Sequence, residues 1–227
     1  MLGLINLHLA YIFNKRNVII ISLISFFYFV LCLVKVNLFE NVNNQLLFEE
    51  QHQIEYDYIT LLIGELITFL ISTYLFSKTQ NISYFLLVKT TKFKFYFTKM
   101  ISNVLIILLF CLSLFFVYIF VGMVFSKWFY LDKQIIIRFV FLFFKSVVLG
   151  FISLLLSNVF KSSFGFILVF IFYIVINNVF EKGIYTQIIG IFLPLFCDDF
   201  IDLFRLIIQI FFYFLSCFFL FLKNENY

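Results

Sequence analysis

Proline is almost missing from this chain. Pro194 is the only one in 227 residues, and there are just seven glycines. Such a chain is neither collagen-like nor a Pro/Gly-rich linker, and most of its length is left free to run as unbroken helix. Charge is scarce as well, at 12% of residues against about a quarter in an ordinary globular chain. Cysteine numbers four, Cys32, Cys111, Cys197 and Cys217, with no CxxC and no metal-ligand spacing. That excludes a disulfide framework and a zinc site. Three of the four lie inside apolar runs, where a free thiol behaves as a small hydrophobe. There is no GxxxxGK[ST], so the chain has no P-loop with which to bind ATP. Net charge is only +4 and forms no continuous basic face, which argues against nucleic acid as a partner. The composition calls for no metal and no cofactor.

What is present is apolar mass: 64% hydrophobic residues, 39 of them Phe. A soluble fold has nowhere to bury this much Phe, Leu and Ile, so the lipid bilayer is the expected solvent. The predicted fold class is an all-α integral membrane protein, one transmembrane domain over residues 1–227. Six spans read at about 17–38, 58–77, 100–125, 135–157, 164–180 and 204–222. Each approaches or exceeds the roughly 20 residues needed to cross a bilayer core. The apolar runs are continuous rather than alternating, which excludes barrel strands. Residues 1–16 set Leu2, Ile5, Leu9, Ile12 and Phe13 near one helical face ahead of Lys15 and Arg16. This pattern predicts a helix lying in the membrane interface. The first span resembles a signal peptide, but it is long and lacks small residues at a cleavage site. Leu31 before Cys32 also fits a lipoprotein anchor poorly, so a retained span is expected.

Orientation follows from charge. The N-terminus, the loop 78–99, the loop 158–163 and the tail hold nine Lys/Arg and one acid, Glu225. The opposite loops, 39–57, 126–134 and 181–203, hold three Lys and ten acids. By the positive-inside rule both termini face the cytoplasm of a cell-membrane, multi-pass protein. Within 181–203, the apolar stretch IIGIFLPLFC is too short to span, contains Pro194, and precedes Asp198, Asp199 and Asp202. A re-entrant or interfacial segment before the last span is expected there.

Polar residues within the spans are few and patterned. Thr60, Gly64, Thr68 and Ser72 recur every fourth residue in the second span. Ser146, Gly150, Ser153 and Ser157 hold one face of the fourth. Small residues let helix backbones approach closely in lipid, so both stripes predict helix packing. Arg205, Gln209, Tyr213 and Ser216 share a face of the sixth span and could line a pathway or pair with neighbours. Glu65 is the one acid well inside a span. Lys145 lies within a few ångströms of the same depth at about 1.5 Å per residue. A Glu65–Lys145 intramembrane pair is predicted, setting packing register or serving transport.

No catalytic set emerges. Glu49, Glu50 and His52 lie in the polar outer stretch after the first span, with no second histidine in reach and no HExxH. A solvated acidic loop is expected, and no enzyme.

The loop after the second span is the most informative stretch. From Ser77 to Lys99 it reads SKTQNISYFLLVKTTKFKFYFTK, with five lysines and no acid. Leu86, Leu87 and Val88 precede Lys89 and Thr90. Thr91, Lys92, Phe93, Lys94, Phe95, Tyr96, Phe97, Thr98 and Lys99 follow as a basic-aromatic run. This stretch resembles the coupling region of ABC transporter permeases of the second exporter class. There, two or three Leu and a turn lead to a Ser-Arg-aromatic-basic helix start, three apolar residues, a small residue and a Lys. The likeness in sequence covers about 20 residues; in outline it includes the six spans, the N-terminal interfacial helix and the segment before the last span. The acid and Gly that usually stand ahead of the short helix are replaced here by Lys78, Thr79, Gln80 and Asn81.

The resemblance implies a permease subunit of an ATP-driven exporter for a peptide, drug or lipid-like cargo. A separate ATP-binding cassette ATPase subunit would dock on a short helix at about 82–89. Phe85, Leu86, Lys89, Thr91, Lys92, Lys94 and Lys99 would form the coupling surface. A second permease copy would complete the unit. The competing expectation is a non-transporting membrane immunity or assembly protein that binds a partner through its acidic outer loop.

Overall fold

Uninterrupted runs of Leu, Ile and Phe leave the backbone no partner but itself in lipid, and helices are the result. The computed structural model describes residues 3, 15–40, 49–78, 92–126, 129–131, 133–160, 165–179, 191–194 and 200–224. Its principal elements are α1 (Lys15–Glu40), α2 (Glu49–Lys78), α3 (Lys92–Phe125), α4 (Lys133–Phe160), α5 (Gly165–Val179) and α6 (Phe200–Asn224). No strand occurs among the described residues. The interfacial helix expected over 1–16 lies almost wholly outside them, as do the short helix expected at 82–89 and most of 181–203.

Among the described residues, three helices are long and apolar enough to cross a membrane: Phe93–Phe125, Lys133–Phe160 and Ile201–Lys223. Shorter apolar stretches, Ile21–Val36 and Thr60–Phe76, lie within α1 and α2. The outer surface is that of a helical membrane protein. Leu23, Phe26, Phe116, Phe204 and Ile201 are exposed, Ile201 to 83%. Thr60, Thr68, Ser72, Asn103, Ser146 and Ser153 are fully buried. Small polar residues are buried beside buried aromatics such as Tyr28, Phe69 and Phe76, while many Leu and Phe stay exposed. That is expected where lipid is the solvent and small polar residues draw helices together.

The helices alternate in direction. Glu65 meets Lys145 and Thr73 meets Ser153, each pair 80 residues apart, so α2 and α4 run parallel. Phe69 packs on Tyr173 and Tyr74 on Phe166, so α5 runs against α2. Leu206 clusters with Val148, and farther along Phe214 packs on Phe151, which sets α6 parallel to α4. The start of α2 meets the end of α3 at Tyr56 and Tyr118, whose rings stack at 5.2 Å. Helix α2 touches α1, α3, α4 and α5, while α6 packs chiefly on α4.

The α2–α4 seam is built from the small-residue stripes. The Ser72 hydroxyl donates to the Ser146 carbonyl, and the Ser153 hydroxyl to the Thr73 carbonyl at 2.9 Å. A Cβ on Gly150 would come within 2.6 Å of the Phe76 ring and 2.8 Å of Ser72 Oγ, so only glycine permits this approach. The N-terminal half of the α2 stripe serves a different neighbour. Tyr28 of α1 lies against Gly64 and donates to the Thr60 carbonyl at 3.2 Å.

One boundary differs from expectation. The acidic stretch containing Glu49, Glu50 and His52 is not a loop: α2 begins at Glu49, nine residues before the predicted span. Hydropathy marks where lipid begins, not where the helix does. Glu and Gln are good helix formers, and two glutamates at the start favour the positive end of the helix dipole. Tyr56, in this extension, is fully buried and donates to the Tyr118 carbonyl at 3.3 Å.

Candidate functional site

Two places gather the residues singled out in the sequence. The first is the basic start of α3. Helix α3 runs unbroken for 34 residues from Lys92, about 51 Å at helical rise. Phe85, Leu86, Lys89 and Thr91 lie outside the described residues, and Lys92 opens the helix. Lys94 is exposed. Lys99 is buried, with Nζ 5.9 Å from the centre of the Phe95 ring, close enough for a cation–π contact. The aromatics of this turn do not all sit at a lipid boundary. Phe95 and Tyr96 are buried against the last turns of α6. The Tyr96 hydroxyl donates to the Phe214 carbonyl at 3.1 Å, and its ring packs on Phe214, Phe218 and Phe221. Phe93 adds an edge contact with Phe218 at 5.5 Å. The start of α3 and the end of α6 are therefore one packed unit, a link that a reading of spans in isolation does not reveal.

The second place is in the apolar interior. Lys145 Nζ of α4 lies 3.4 Å from Glu65 Oε1 of α2. Tyr173 of α5 donates its hydroxyl to the same oxygen at 3.5 Å. The Glu65 side chain is 33% exposed and that of Lys145 15%. The node thus joins three helices and is not fully closed off. Tyr173 has no signal in the sequence beyond being an aromatic in an apolar run. Its ring is placed by an edge contact with Phe69 at 4.8 Å.

The polar face of α6 is occupied by backbone. Gln209 Nε2 donates to the carbonyls of Ile191 at 2.8 Å and Leu193 at 3.4 Å, and the Tyr213 hydroxyl donates to that of Phe192 at 2.6 Å. Pro194 biases the residue before it away from helical geometry, and Gln209 and Tyr213 supply donors to the carbonyls of this turn. Arg205 pairs with Asp202 at 3.1 Å near the start of α6. Asn103 of α3 was not singled out by sequence. It is fully buried, and among the described residues neither polar atom of its side chain has a hydrogen-bond partner.

Comparison with known proteins returned no match to a family model, to a curated protein or to a solved structure.

Proposed function

We propose that the chain is the membrane-spanning permease subunit of an exporter driven by a separate ATP-binding cassette ATPase. A second permease copy would complete the unit, and the cargo would be a peptide, a drug or a lipid-like molecule. The observation that carries this reading is α3. Its basic-aromatic start lies beside the loop that resembles the coupling region, and the helix continues without a break through its apolar length. Coupling needs a rigid element with two arrangements, and a continuous helix transmits a push at one end to the other. The packing of Tyr96 on Phe214 would carry α6 along with it.

In this reading all six helices cross the cell membrane, which the alternating directions support. Both termini face the cytoplasm, as the distribution of charge favours. The segment 191–194 is re-entrant. It is gripped by Gln209 and Tyr213, about 14 and 20 Å along α6 from Phe200 at helical rise. Carbonyls held that far along a spanning helix lie well below its outer end.

The test is a gentle detergent purification of the tagged protein from its native membrane, scored for a co-purifying P-loop ATPase. The comparison is a Lys92→Glu, Lys94→Glu double variant. An ATPase retained by wild type and lost from the variant is the expected result. No ATPase, in detergents that preserve a known transporter complex, would favour the immunity or assembly protein instead.

A further inference from the structure

Both donors at the intramembrane node reach the same atom. Lys145 Nζ and the Tyr173 hydroxyl converge on Glu65 Oε1 at 3.4 and 3.5 Å. Among the described residues none donates to Oε2. A carboxylate has about four lone-pair sites, and in apolar surroundings an unfilled acceptor is costly. Oε2 is also reachable, since a third of the Glu65 side chain is exposed. Exposed apolar side chains lie close to it along the chain: Leu62, one turn before Glu65 on α2, and Phe172, next to Tyr173 on α5. An acceptor set in such a surface meets ligands that arrive through the membrane rather than through water.

Charge decides what kind of ligand fits. Glu65 and Lys145 sum to zero. A cation on Oε2 would leave one uncompensated positive charge in apolar surroundings, at a cost of several kcal/mol. An anion would be repelled by Glu65 and would have to strip Lys145 from it. An uncharged O–H donor fills the lone pairs without disturbing the balance, and gains a hydrogen bond to a charged acceptor. We propose that Glu65 Oε2, held in place by Lys145 and Tyr173, is the recognition point for the hydroxyl group of an uncharged, lipid-like amphiphile reaching the α2–α5 side of the bundle from the bilayer. That this amphiphile is a cargo rests on the permease reading; the binding site does not.

The test uses the full-length protein, labelled with ¹³C at its glutamate carboxyls, in phosphatidylcholine nanodiscs. The Glu65 carboxyl resonance is identified by its absence from Glu65→Gln. Three probes of equal chain length are titrated: 1-dodecanol, dodecane and dodecylammonium. The expected result is a saturable shift of the Glu65 resonance with the alcohol only. The affinity for the alcohol, followed by a saturable rise in thermal midpoint, should fall about tenfold or more in Glu65→Ala, the scale of one hydrogen bond to a charged group. If Glu65→Ala does not fold, Glu65→Gln serves, and a several-fold loss is expected because its acceptor is neutral. An equal response to dodecane, tighter binding of dodecylammonium, or unchanged affinity for the alcohol in the variants would each overturn the proposal. No ATPase is needed, so alcohol binding without a co-purifying ATPase would sink the permease reading and leave the site standing.

Discussion

Ser153 donates its hydroxyl to the carbonyl of Thr73 across 2.9 Å, and that bond ties α2 to α4. Beside it, Gly150 leaves room only for the Phe76 ring and the Ser72 hydroxyl. The α2–α4 seam is thus held by close backbone approach and short polar contacts together with buried aromatic packing such as Phe76 on Phe151.

The first prediction concerns that seam. Gly150→Leu should lower the thermal midpoint in detergent strongly, because its side chain must displace Phe76, with overpacking costs of about 1–3 kcal/mol or more. Ser153→Ala should cost less, about 0.6 kcal/mol, the scale of one interhelical hydrogen bond in a membrane protein. If Ser153→Ala proved the more damaging of the two, the steric account of Gly150 would be wrong.

Glu65 and Lys145 should behave as a unit. Glu65→Gln or Lys145→Met alone leaves a charge without its partner. The expected loss lies below the about 3–5 kcal/mol of a fully buried pair, because Glu65 is partly exposed. The double variant should recover most of the stability of wild type. Additive losses, measured by denaturation in a complete double-mutant cycle, would show that the two residues act independently.

The start of α3 should move with the end of α6. In a background lacking the native cysteines, Phe93→Cys with Phe218→Cys should crosslink rapidly with a short bis-methanethiosulfonate reagent. Phe93→Cys with Phe204→Cys, at the other end of α6, should not. Equal yields from both pairs would contradict the observed packing of Phe93 on Phe218.

The 191–194 segment should be released by loss of its side-chain partners. In the same cysteine-free background, Phe192→Cys should react slowly with a membrane-impermeant maleimide added from outside. Gln209→Leu combined with Tyr213→Phe should speed labelling several-fold, since the two residues supply the donors to the Ile191, Phe192 and Leu193 carbonyls. Fast labelling without those changes would argue for a surface loop in place of a re-entrant turn.

The sequence by itself determined that this protein is helical and built for lipid, and roughly where each apolar helix lies. Those properties depend on local composition and on the absence of helix-breaking proline. Helix rise also put Glu65 and Lys145 at similar depth, because distance along a straight helix is proportional to residue number. Only the tertiary structure decided which faces meet: Tyr28 against Gly64, Tyr173 beside Glu65, Tyr96 on Phe214, and Gln209 under the 191–193 turn. Hydropathy makes a Tyr or Phe in an apolar run look the same whether it faces lipid or a neighbouring helix. The early start of α2 at Glu49 was hidden for a related reason, since a helix that rises out of the membrane loses its apolar signal while keeping its hydrogen bonds. Pairing between helices depends on rotation and register among segments distant in the chain, and those are set by how the whole bundle packs.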